Sequence, residues 1–110
     1  MTAAVSIALA LLFLAAAVGK FTGMTDATRA HLGIAVARWR AIGVLELAGV
    51  VGVLVGIGVE ELGLAAAAGL LLTSLGAIAT HLKVGDPPQA IIGAAVGLLL
   101  SIAVVVLQAT

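Results

Sequence analysis

At 110 residues the chain has the length of one domain, and it is 64% hydrophobic and only 9% charged, far below the roughly 25% charged share of soluble domains. A formal net charge of zero excludes the basic face that nucleic-acid binding uses to displace counterions from phosphates. The absence of cysteine excludes disulfides, thiolate nucleophiles and thiolate-held metals or iron–sulfur clusters.

Lipid is the solvent that suits such a surface, and a membrane span needs about 20 apolar residues. Four runs meet that length: about Thr2 to Gly19, Ala41 to Val59, Leu62 to Leu82 and Gln89 to Leu107. Helix is the expected state of each, because backbone groups in lipid must be satisfied within the segment, and the alternation of a barrel strand is absent. The fold class expected is therefore all-α, an integral membrane four-helix bundle with short connections, forming one four-span domain over residues 1–110.

The first run ends in small residues, Ala15, Ala16 and Ala17, that resemble a signal-peptide cleavage site. Its charge order is that of a mature span, since Lys20 follows the apolar stretch and nothing basic precedes it. The longest connection, Lys20 to Arg40, alternates Asp26, Arg29, Arg38 and Arg40 with Leu32, Ile34, Val36 and Trp39. From Thr25 onward it reads either as a short interfacial helix, with Thr25 or Asp26 as N-cap, or as an ordered polar loop. The second connection is reduced to Glu60 and Glu61, the tip of a helical hairpin. In the third, Lys83 to Pro88, Gly85 and Asp86 precede two prolines, a helix stop followed by a helix start.

The first and third connections hold all five Lys and Arg residues. The positive-inside rule places them in the cytoplasm and both termini outside, for a multi-pass protein of the bacterial inner membrane. Small residues promise close helix packing: Gly49, Gly52 and Gly56 in the second run, Gly69 and Gly76 in the third, and a GxxxG at Gly93 and Gly97 in the fourth. Packing within one bundle is favoured over pairing with another chain, although a homo-oligomer or other membrane subunits remain open as partners alongside lipid.

Glu46 lies about 9 Å into the second run from Arg40, at a rise of 1.5 Å per residue. A carboxylate at that depth is tolerated when it faces the bundle interior and meets a cation, a donor or a cavity, which makes it a candidate for function. Its structural alternative is an ion pair with Lys20, Arg40 or His81. His81 closes the third run, and Thr80, Ala77 and Thr73 share its face by helical spacing. Lys20, Glu46, His81 and Asp86 all converge on one membrane face. Glu46 and His81 are thus the candidates for proton handling, and Lys20, Arg40, Thr73, Thr80, Lys83 and Asp86 for ligand contact. The hydroxyls of Ser74 and Ser101 fit back-bonding to their own helices. His31 and His81 lack the spacing of a metal or haem pair, and His31 is placed outside the bundle. No phosphate loop, nucleophile elbow or catalytic triad is present.

These residues resemble the DoxX-like family of small four-helix bacterial membrane proteins. The likeness rests on Val18-Gly19-Lys20-Phe21, on the stretch from Arg40 to Gly49 around Glu46, and on the stretch from Gly76 to Asp86 that contains Thr80-His81-Leu82-Lys83. It implies the four-helix fold and points to Lys20, Glu46, His81, Lys83 and Asp86 as site residues. It also implies an association with membrane redox systems, with a quinone or similar lipophilic small molecule as ligand. Alternatives are a small membrane enzyme doing acid–base chemistry, an isomerase or a hydrolase, and a structural subunit of a larger complex. The lack of cysteine sets this chain apart from any thiol relay.

Overall fold

A computed structural model describes residues 1–110. It is all helical: α1 (Thr2–Thr22), α2 (Asp26–Leu32), α3 (Val36–Val55), α4 (Glu60–Lys83) and α5 (Pro88–Ala109), with no strand. The four long helices pack in a closed circuit, α1 against α3, α3 against α4, α4 against α5 and α5 against α1. Leu11, Leu72 and Leu99 project from the outside of this circuit with most of their surface uncovered, as suits side chains dissolved in hydrocarbon.

Three helices, α1, α4 and α5, are long and apolar enough to cross a membrane. The fourth expected span, α3, carries Arg38, Arg40 and Glu46 within its 20 residues, and it is these three charges that keep it out of that group. It also begins and ends earlier than the apolar run from Ala41 to Val59 suggests. The chain leaves α2 through Gly33, passes one extended residue, Ala35 (φ −65°, ψ 148°), and turns helical at Val36, since nothing from Val36 to Arg40 breaks a helix. The other end is set by close approach. Gly56 lies against the backbone of Gly63, where a Cβ on either residue would collide, so the chain reverses through Ile57, Gly58 and Val59. Glu60 and Glu61 are therefore the first turn of α4 rather than the hairpin tip, and their carboxylates sit at the positive end of the helix dipole.

The interior has a solid half and a hollow half. Leu9, Ala10, Phe13, Val50, Val53, Ala67, Leu70 and Val104 form a contiguous buried cluster in the half nearer the termini. There the glycine stripe of α3 admits α4 closely: a Cβ at Gly49 would stand 2.5 Å from Leu70 Cδ2, and one at Gly52 would stand 2.5 Å from Ala66 Cβ. Gln108 of α5 closes this end by donating from Nε2 to the Gly56 carbonyl at 2.8 Å, satisfying an acceptor that the end of α3 leaves unpaired. Gly69, Gly76 and Gly93, expected to pack in the same way, meet nothing within 4 Å of a built Cβ. Of the GxxxG pair only Gly97 is packed, against Ser74 and Phe13.

Candidate functional site

The hollow half is a cavity of about 790 Å³ reached by all four long helices and by α2. Its deeper wall is built of small and apolar residues, among them Leu12, Phe13, Ala16, Ala77, Ala94 and Gly97, and its polar residues gather toward the α2 end. The missing side chains of Gly76 and Gly93, both on the wall, help keep it open.

Lys20, in the last turn of α1, and Glu46, nearly three turns into α3, meet in this wall. Their Nζ and Oε1 atoms are 2.8 Å apart, with the side chains 11% and 4% exposed. The contact is ionic rather than a well-directed hydrogen bond, since Oε1 has no donor aligned on it. The same ammonium stands 4.6 Å from the centre of the Trp39 ring, a cation–π contact that grows in value where water is scarce. Trp39 is fixed in turn by Nε1 donating to Thr25 Oγ1 at 3.1 Å. Thr25 is the N-cap residue of α2, one of the two expected; its hydroxyl makes no cap bond and accepts from Trp39 instead. Of the three expected partners for Glu46, Lys20 makes the pair. Arg40 is exposed and off the cavity wall, and His81 is engaged elsewhere.

The engagement of His81 follows from how α4 ends. Gly85 takes the left-handed conformation (φ 76°), its N–H bonds to the Leu82 carbonyl at 3.1 Å and the Asp86 N–H bonds to the His81 carbonyl at 3.0 Å. This is the Schellman arrangement, which brings the second residue past the cap beside the residue three before it. Here that neighbourhood is polar: His81 Nδ1 and Asp86 Oδ2 are 2.6 Å apart. The other oxygen, Asp86 Oδ1, lies 2.5 Å from Nε2 of His31 on α2, so one carboxylate joins two imidazoles from distant parts of the chain. Bonding to His81, and next to His31, holds the Asp86 carboxyl below the usual aspartate range.

The sign of that shift gives a prediction. A carboxyl whose folded pKa is depressed contributes stability above the unfolded aspartate value of about 3.9, and loses that contribution as pH falls through the lower folded value. In detergent, the parent is therefore expected to unfold at higher temperature than Asp86→Asn from pH 5 upward, with the two melting temperatures converging in stronger acid. A gap that is the same at every pH would show that the carboxylate's charge is irrelevant.

Thr73 and Thr80 lie on the cavity wall with their hydroxyls donating back to Gly69 and Gly76 at 3.0 and 2.7 Å. Each oxygen keeps lone pairs to offer a ligand. Lys83 also lines the cavity, as does Arg38, and neither has a carboxylate partner. Asp86 stands behind His81 rather than on the wall itself. Ser74 and Ser101 are back-bonded to Leu70 and Gly97. Sequence reasoning did not single out Trp39 or the pairing of His31 with Asp86. The His81–Asp86 pair had a readable signal in the spacing of the two residues around Gly85, whereas His31, 55 residues from Asp86, had none.

Apolar spans around a cavity with polar groups at one end define a multi-pass helical membrane protein with a built-in small-molecule-sized chamber. The chain belongs to the DoxX-like family, whose profile matches residues 4–104. No curated protein and no solved structure matches it.

Proposed function

We propose that the chain crosses the bilayer four times, with α3 as the fourth span, and that its cavity takes up a lipophilic small molecule with a quinone-like head as an accessory component of a membrane redox system. The single observation that carries this reading is the placement of the Lys20–Glu46 pair and His81 on the wall of one largely apolar cavity of about 790 Å³. That volume falls within the roughly 300–1,000 Å³ of small-molecule sites, which combine an apolar lining with a few placed polar groups. The carbonyl oxygens of a quinone find donors in Lys20 and in the free Nε2 of His81, and Glu46 and His81 are the groups suited to passing protons. In this reading α2 lies at the cytoplasmic interface of the bacterial inner membrane, on the side holding all five Lys and Arg residues, and partner subunits or a second copy of the chain complete the redox system.

The test is direct. Protein purified in mild detergent is expected to carry a quinone detectable by mass spectrometry. Glu46→Gln and His81→Ala are each expected to weaken binding of a short-chain benzoquinone about tenfold, the scale of one lost charge-assisted hydrogen bond. A preparation free of quinone, together with unchanged affinity in both variants, overturns the reading.

One observation favours a second reading, a small enzyme doing acid–base chemistry on a lipophilic substrate. Asp86 orients His81 through Nδ1 and leaves Nε2 without a protein partner, the arrangement by which a carboxylate prepares an imidazole as general base. Turnover of a lipophilic ester or enolisable ketone without any electron acceptor, lost in His81→Ala, would replace the first reading with this one.

A further inference from the structure

The α2 helix covers the hollow half of the molecule without being part of its core. Thr28, Leu32, Gly33 and Ile34 contribute to the cavity wall, yet none of the seven residues of α2 is buried. A segment with so little buried surface opens at low cost in free energy. It is flanked by glycines in the left-handed region, Gly23 at the end of α1 (φ 81°) and its own C-cap Gly33 (φ 73°). The end toward Gly33 is internally braced, with Ile34 N–H bonded to the Arg29 carbonyl at 3.1 Å and Arg29 Nη1 donating to the Ile34 carbonyl at 2.8 Å. Helix and following turn therefore move as one piece. Near the other end the Trp39–Thr25 bond holds the segment beside Gly23.

Between these ends, one side-chain hydrogen bond ties α2 to the opposite side of the cavity: His31 Nε2 to Asp86 Oδ1. Its two halves are unlike. Asp86 is 8% exposed and held in place independently by the Schellman turn and by His81, whereas the His31 side chain is 56% exposed. The first is a fixed catch and the second is free to swing away into solvent.

We propose that α2 is a hinged lid over the cavity and that the His31–Asp86 bond is its latch. The lid controls passage between the cavity and the aqueous side, and this role rests on the reading of the cavity as the functional volume. Because the chain has no cysteine of its own, access can be read without knowing the ligand. A single Ala77→Cys substitution places a thiol on the cavity wall, and its reaction with a water-soluble maleimide in the detergent-purified protein reports how often the lid is open.

Adding His31→Ala is expected to raise the labelling rate roughly three- to tenfold, the range for losing a partly exposed charge-assisted bond. His31→Gln, which keeps a donor within reach of Asp86, is expected to return the rate toward that of the Ala77→Cys protein. The exposure of His31 means that its loss leaves no cavity in the core, and an unchanged helical circular dichroism, with a melting temperature lowered by less than in Asp86→Asn, separates lid opening from general loosening. Equal labelling rates with and without His31→Ala overturn the lid. Faster labelling in a protein that binds no quinone keeps the lid and discards the quinone, so the two ideas fail separately.

Discussion

Replacing Lys20 with methionine is expected to destabilise the protein by about 3–5 kcal/mol, the cost of leaving one member of a buried ion pair without its partner. The Glu46 carboxylate is 4% exposed and pairs with Lys20 alone, so Lys20→Met strands a charge in a medium that solvates it poorly. The cation–π contact with Trp39 is lost at the same time. The double variant Lys20→Met/Glu46→Leu removes both charges and is expected to recover most of the loss, since an apolar pair of similar volume is often as stable as the ions it replaces. Reversible unfolding by SDS in mixed micelles measures all three proteins. If Lys20→Met alone proves as stable as the parent, the pair is not a buried one and the polar end of the cavity is wet enough to solvate Glu46 by itself.

The second large effect is expected at Gly56. A Cβ there falls on the backbone of Gly63 and on the carbonyl of Gly52, and neither can move aside without shifting a helix. Gly56→Ala is expected to cost about 2–3 kcal/mol, the upper part of the range for overpacking, and Gly56→Val more. Gly69→Ala serves as the contrast. Nothing stands within 4 Å of its built Cβ, so the change is expected to be neutral or to stabilise by up to about 1 kcal/mol through helix propensity. The same unfolding measurement decides, and similar losses for both variants would mean that the tight seam between α3 and α4 is absent.

These two glycines show where sequence reading stops. Both belong to apolar runs rich in small residues, Gly56 as the C-cap of α3 and Gly69 within α4, and helical spacing in the sequence puts each on a plausible packing stripe. Which stripe meets a neighbour depends on how the helices are rotated about their axes, a matter of whole-molecule packing. The same limit applies to the site. The convergence of Lys20, Glu46 and His81 on one end was legible, because a span of fixed rise puts the ends of alternate helices on the same face. That Glu46 has an internal cation partner followed from the energetic demands of an acid in lipid. That the partner is Lys20, with Arg40 exposed and His81 held by Asp86, required knowing which side chains point inward.

Composition and local chain chemistry by themselves determined that this is a helical membrane protein, roughly where its three most apolar long helices run, and which end carries most of its ionisable groups. These depend on transfer free energies summed over about 20 residues and on caps and turns, all of which act along the chain. Only the tertiary structure decided that one half of the interior is filled and the other hollow, that α3 meets α4 at Gly56 and Gly63, and that His31 reaches Asp86. Those contacts join residues far apart in sequence, and their geometry comes from helix rotation and from the fold of α2 back across the cavity, neither of which short-range preference specifies.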